Sequence, residues 1–195
     1  MLTYPDPDLT DDVVRLRRWD AGDVGCVREA SADKVIPEGT TVPAVFTEEA
    51  GVAFIARQLA RAEQGEGLSL AITDASTGLA QGSVWLGVRP QPGVVGIGYW
   101  VVPAARGRGV ARRAVRLATR WSLLQGVARV EAWVEPENER SQHVLRAAGF
   151  HREGVLRSFL AFGTRRTDCV VFSYVASDVA TLSADGDRGQ PRSDA

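Results

Sequence analysis

The chain has 195 residues, 45% of them apolar, enough for one domain with its own core. Its net charge of -1 gives no overall bias toward nucleic acid or an anionic membrane. Cys26 and Cys169 cannot build a disulfide framework, no signal-peptide pattern opens the chain, and no apolar run approaches the ~20 residues of a membrane span, so the expectation is a reduced, cytoplasmic protein.

Residues 1–12, rich in Pro and Asp, predict a loose N-terminal extension. "VVRLRRW" (13–19) alternates apolar and charged residues, as a half-buried strand does. Asp20 is placed to cap a helix from Ala21 to about Ala32. The stretch 33–46, with two prolines and a glycine, predicts a loop. Thr47 caps the next helix, Glu48 to Gln64, with Val52, Ile55, Leu59 and Ala62 on one face. Strands follow at 68–74, 80–88 and 94–102, joined by "ASTG" and "RPQPG" turns. A helix over Val110 to Gln125, a strand over 128–135 and a helix over Glu139 to Ala148 come next, then a closing strand pair at 153–162 and 166–176. The tail 177–195 is polar, small and aspartate-rich, which predicts disorder and leaves one domain over 13–176. This order predicts an α+β (α/β layered) fold, a mixed sheet with helices on its faces.

The informative stretch is "VVGIGYWVVPAARGRGVARRAVRLATRW" (94–121), where a strand runs through an Arg/Gly loop into a helix. The first turn of a helix leaves backbone N–H groups without partners and partially positive, which favours an anion. Gly107 and Gly109 let a bulky ligand approach the backbone, and Arg106 and Arg108 add fork-shaped donors, so the loop suits a pyrophosphate. A P-loop is excluded because the required lysine is absent. A dinucleotide fingerprint is excluded because Arg112 stands where its third glycine belongs. Arg112, Arg116 and Arg120 share one helical face and read as a solvated stripe. His143 and His151, with no cysteine or acidic cluster nearby, do not predict a metal site.

The pattern R-x-x-G-x-A (Arg106, Gly109, Ala111) after a "GYWV" strand resembles the acyl-CoA motif of the GCN5-related N-acetyltransferase (GNAT) superfamily. "RVEAWVEPENERSQHVLRAAGF" (129–150) and "LRRWDAGD" (16–23) resemble the branch holding the ribosomal-protein alanine and serine N-acetyltransferases. The resemblance covers roughly residues 13–176. It implies a mostly antiparallel sheet of about seven strands flanked by about four helices. It also implies two central strands, 94–102 and 128–135, that part to admit the pantetheine arm of acetyl-CoA along Trp100, Val101 and Val102. The pyrophosphate then rests on Arg106, Gly107, Arg108, Gly109, Val110 and Ala111, and a backbone N–H near Val101 polarises the thioester. Asn138 is a helix N-cap and, by resemblance, a pantetheine contact.

The attacking amine must lose a proton and the leaving thiolate can take one. Many relatives place a tyrosine acid where this chain has Leu145, and a glutamate where it has Gly96; both are absent. Ser141, which fits the branch's serine, is the expected thiolate partner or acid. For the base, Glu131 and Glu135 share a strand face, Glu38 is a remote option, and bulk water is another. The implied function is transfer of acetyl, or a larger group such as succinyl, to a protein N-terminus or small-molecule amine. No metal, nucleic acid or membrane partner is expected, and the chain is expected to be a monomer or homodimer. The alternative is a non-catalytic acyl-CoA-binding module.

Overall fold

The computed structural model describes residues 2–178. Eight strands among them form one sheet: β1 (Leu9–Thr10), β2 (Val14–Arg17), β3 (Gly67–Asp74), β4 (Ala80–Val88), β5 (Val94–Val101), β6 (Arg129–Val134), β7 (His151–Phe162) and β8 (Arg165–Val175). Their order is β1-β2-β3-β4-β5-β6-β8-β7. All neighbours are antiparallel except β5 and β6. The helices are α1 (Val24–Ser31), α2 (Ile36–Gly39), α3 (Glu48–Glu63), α4 (Val110–Leu124) and α5 (Glu139–Ala147). This is the expected layered α+β architecture, with eight strands rather than about seven. The added strand lies in the N-terminal segment, where Leu9 pairs with Leu16 and the Asp11 carboxylate accepts from the amides of Val13 and Val14.

Local chemistry sets the helix starts. Asp20 accepts from Gly22 N, and Asp23 returns a bond to Asp20 N, closing a capping box. Thr47 caps α3 through Ala50 N. Two expectations need correction. The stretch 33–46 is not all loop: Asp33 Oδ1 accepts from the amides of Val35 and Ile36, and Pro37, tolerated in a first turn, begins the short α2. The buried face of α3 is Gly51, Phe54, Ile55 and Gln58, and Val52 is exposed. The helix is turned so that Gly51 admits the Phe46 ring and Val24, which a Cβ would meet at 3.0 and 2.9 Å. Of the tail expected to be disordered, 179–195 lies outside the described residues. Residues 177–178 continue a helical turn in which Asp178 accepts from Val175 N.

Side chains alternate across a strand, so adjacent residues report opposite layers. Trp100 packs on Phe54 of α3 and on Trp19, with centroids 6.3 and 6.1 Å apart, while Tyr99 reaches Ser141 on α5. The sheet is thus sandwiched between α3 and α5, with α4 packed over β1, β2, β4, β5 and β6. β3 is buried along almost its whole length, as a strand covered on both faces must be. Leu68, Leu70, Ile72, Val84, Leu86, Val115 and Leu145 form the solvent-free centre.

Candidate functional site

The parallel strands β5 and β6 hold register at Val94–Arg129, Val95–Val130 and Gly96–Glu131, and then part. Arg89 N donates to Val94 O and Val102 N donates to Gln81 O, so the even-numbered backbone groups of this stretch pair with β4. The odd-numbered ones point the other way. At Ile97, Tyr99 and Val101 they face the gap. Of the three residues expected to bind pantetheine, Val101 therefore has its amide aimed into the gap. The backbone of Trp100 and Val102 faces β4, and the Trp100 side chain belongs to the α3 layer.

The Arg/Gly loop closes the mouth of the gap. After a 3₁₀ turn at Pro103–Ala105, Gly107 and Gly109 adopt φ of 76° and 75°, the left-handed region where glycine is favoured. Gly109 is the N-cap of α4 and supplies no side-chain acceptor. Arg113 N bonds Gly109 O at 3.0 Å, so the amides of the turn before it point out of the helix end. A Cβ on Gly107 would meet nothing within 4 Å, so the space in front of the loop is open. Uncapped amides, a helix dipole and open room are what a pyrophosphate requires.

Arg106 and Arg108 divide the work. Arg106 Nη1 pairs with Asp33 Oδ2 at 2.9 Å and its Nε donates to Val101 O at 3.0 Å, lacing the loop to both β5 and the 33–46 segment. Burial pushes the Asp33 carboxyl up, but hydrogen bonds from Arg106, Ile36 and Val35 win and hold it below the usual carboxylate range. Arg108 is exposed, 3.8 Å from Asp74, and is the cation free to swing toward an anion. Val110 is buried and Ala111 half-buried, so these two contribute backbone. Arg112, Arg116 and Arg120 are exposed, as the helical stripe predicted.

Across the gap, Asn138 Oδ1 caps α5 by accepting from Ser141 N at 3.0 Å. Ser141 Oγ lies 2.8 Å from the Tyr99 hydroxyl, which also donates to Ser141 O at 3.1 Å. Burial pushes the Tyr99 phenol up to about 12, against a smaller pull from Ser141. Tyr99 is a side chain of the candidate site that sequence reasoning missed. Its signal was an odd-numbered position in "GYW", beside the gap, once the strand's two faces are known. Leu145, where a tyrosine was absent, is wholly buried.

The carboxylates expected as bases are engaged or remote. A Cβ on Gly96 would collide with the Arg89 guanidinium, which lies across that glycine. Arg89 Nε bonds Glu131 Oε1 at 3.1 Å and its Cζ sits 3.7 Å from the Trp133 ring centroid. Arg129 takes the other Glu131 oxygen at 3.4 Å and holds Glu153 at 2.6 Å. Glu135 is clamped by Arg165 at 2.8 and 3.2 Å. Glu38 is exposed beyond them. His143 and His151 are exposed, and among the described residues no group of three His, Cys, Asp or Glu is placed to hold a metal. No described helix is long and apolar enough to cross a membrane.

Residues 14–151 match the family model described as an acetyltransferase (GNAT) domain. Over 62 residues the chain is 42% identical to the Bacillus subtilis (strain 168) protein named "Probable N-acetyltransferase YjcK", a match spanning 31% of this chain and 34% of that one. The structure of RimJ from Mycobacterium smegmatis, in complex with CoA-disulfide, superposes with a TM-score of 0.75 at 25% identity, covering 89% of each chain. The ribosomal-protein-S5-alanine acetyltransferase of Vibrio fischeri superposes with a TM-score of 0.70 at 20% identity, over 94% of this chain and 99% of that one.

Proposed function

The chain belongs to the acetyltransferase (GNAT) domain family, and from that membership we propose that it moves acetyl from acetyl-CoA to a primary amine by direct attack in a ternary complex. The observation that carries this reading is the juxtaposition of a β5 edge that has no partner strand beyond Gly96 with an uncapped helix N-terminus and two left-handed glycines. The glycine loop and the first turn of α4 take the pyrophosphate, and Arg108 supplies charge. The pantetheine arm adds as a strand on the gap side of β5, and Val101 N–H polarises the thioester carbonyl.

In the transfer, the amine nitrogen bonds to the carbonyl carbon as the C–S bond breaks. Ser141, held by the Asn138 cap and the Tyr99 hydroxyl, gives the leaving sulfur a proton. The ammonium's proton passes to water or to a carboxylate. Glu131 is opposite Gly96, where the strands part, and is the nearer of the two expected bases; Glu135 serves Arg165. The acceptor is a protein N-terminal α-amine or a small-molecule amine, and the chain works as a monomer or homodimer. A cytoplasmic setting suits its two buried free thiols.

A second reading has its own support. Arg89 fills the place over Gly96 and both strand carboxylates are ion-paired, as a non-catalytic acyl-CoA-binding module would allow. Calorimetric titration with acetyl-CoA, succinyl-CoA and CoA, followed by an amine screen, separates the two. Binding with turnover that falls in Ser141→Ala supports the transferase. Binding without turnover supports the module, and no binding overturns both.

A further inference from the structure

Beyond the gap, no helix among the described residues covers the α3 side of β6, β8 and β7. A groove of about 700 Å³ lies there, bounded by the β4–β5 turn and by the outward residues of those strands. Its charges are spent on one another. Glu131 is bonded by Arg89 and Arg129, and Glu153 by Arg129 and by the Ser173 hydroxyl at 2.7 Å. Among the described residues, no carboxylate in the groove is left to hold a polycation. The remaining wall is apolar: Trp133, Val155, Leu156 and Phe159 are all partly exposed, Trp133 at 37% and Phe159 at 40%.

This wall is built by a specific distortion. Between Leu156 and Leu160 the register of β7 on β8 slips, because Leu156 pairs with Cys169 and Leu160 with Thr167. The extra residues bulge, and Ser158 takes φ of 52° in the left-handed region, unfavourable for a non-glycine residue. Asp168 Oδ1 accepts from Ser158 N at 2.8 Å, and Arg166 donates twice to Ser158 O, at 2.9 and 2.7 Å. The bulge tips Phe159 onto Trp133, edge to face, with centroids 4.8 Å apart. Strained backbone pinned by three hydrogen bonds is the kind found where a side chain is aimed for use.

The groove adjoins the place where the strands part, with the Arg89 guanidinium over Gly96 between the two. Glu131, on its floor, is opposite Gly96, the last residue before the strands part, and Trp133 is the next residue on that face. Resting on the transferase reading above, we propose that this groove is the acceptor subsite and that the acceptor is a small amine with an aromatic body, an arylalkylamine. The aromatic ring packs against Phe159 and the part of Trp133 that Arg89 leaves exposed, and the amino group extends past Arg89 toward the gap. Polyamines and amino sugars are excluded because their several ammonium groups find no free carboxylate.

The test compares 2-phenylethylamine, spermidine, kanamycin and a short peptide with an apolar second residue as acceptors, in wild type and in Phe159→Ala and Phe159→Tyr. Amine binding is also read by calorimetry with and without CoA, so a chain without turnover still reports. Phenylethylamine is expected to lead spermidine and kanamycin in kcat/KM by at least about tenfold, with a similar loss in Phe159→Ala that Phe159→Tyr restores. Acetyl-CoA affinity should be unchanged in both variants, which shows that they fold. A preference for spermidine, kanamycin or the peptide overturns the proposal, as does indifference to Phe159→Ala or no phenylethylamine binding. Failure of acetyl-CoA to bind would instead remove the transferase reading itself.

Discussion

Gly109 and Gly126 stand at opposite ends of α4 with φ of 75° and 85°. Neither is crowded: a Cβ on Gly109 would meet only Arg112 Nη2, at 3.8 Å, and one on Gly126 nothing within 4 Å. Replacing either by alanine therefore costs stability through backbone conformation alone, roughly 1–2 kcal/mol each. For a domain of this size that lowers Tm by roughly 2–8 °C. The ligand consequences should differ. At Gly109, on the proposed reading, the new methyl stands where the pyrophosphate approaches the helix end, and losing one charged hydrogen bond there costs about 1.5–3 kcal/mol, or roughly 10- to 150-fold in Kd. Gly126 lies past the opposite end of α4, away from the proposed cradle. Thermal unfolding and calorimetric titration of acetyl-CoA on both variants settle the matter. The expected result is two similar Tm losses and one affinity loss. If Gly109→Ala binds acetyl-CoA as tightly as Gly126→Ala, the loop is a turn and not a phosphate cradle.

Tyr99→Phe removes the hydroxyl beside Ser141, a loss of about 0.5–1.5 kcal/mol, so kcat should fall roughly 2- to 12-fold with acetyl-CoA Kd unchanged. If the two hydroxyls act together, the double variant with Ser141→Ala will be no worse than Ser141→Ala alone; additive losses would refute this. The Arg129 guanidinium and the Ser173 hydroxyl hold Glu153 down to about 2, and the Ser76 hydroxyl and loop amides hold Asp74 there too. Both groups are depressed, so their stabilisation is fully present above the usual carboxylate range and is lost as pH falls toward 2. Circular dichroism against pH should show a shallower acid transition in Glu153→Gln. Burial pushes the Cys26 and Cys169 thiols up, so a thiol reagent at neutral pH should leave the native protein unmodified and label both on unfolding; fast native labelling would contradict the burial.

Sequence patterns located the elements that rest on local chemistry. The period-2 runs became strands, Asp20, Thr47 and Asn138 capped the helices they precede, and the Arg/Gly loop opened α4. These features need only near neighbours along the chain, so the chain itself specified them. Four matters needed the fold. The buried side of α3 depended on Gly51 meeting Phe46 and Val24, a contact that hydrophobic period alone does not encode. The roles of Arg106, Glu131 and Glu135 depended on partners distant in sequence, Asp33, Arg89 and Arg165, which turned candidate ligand and base groups into members of ion pairs. Tyr99 acquired its partner only when α5 was laid across the sheet. The Phe159–Trp133 wall arose from a register slip between strands that no run of residues announces. Capping and strand alternation are local free energies. Pairing of charges, hydroxyls and rings is decided by which surfaces the sheet brings together.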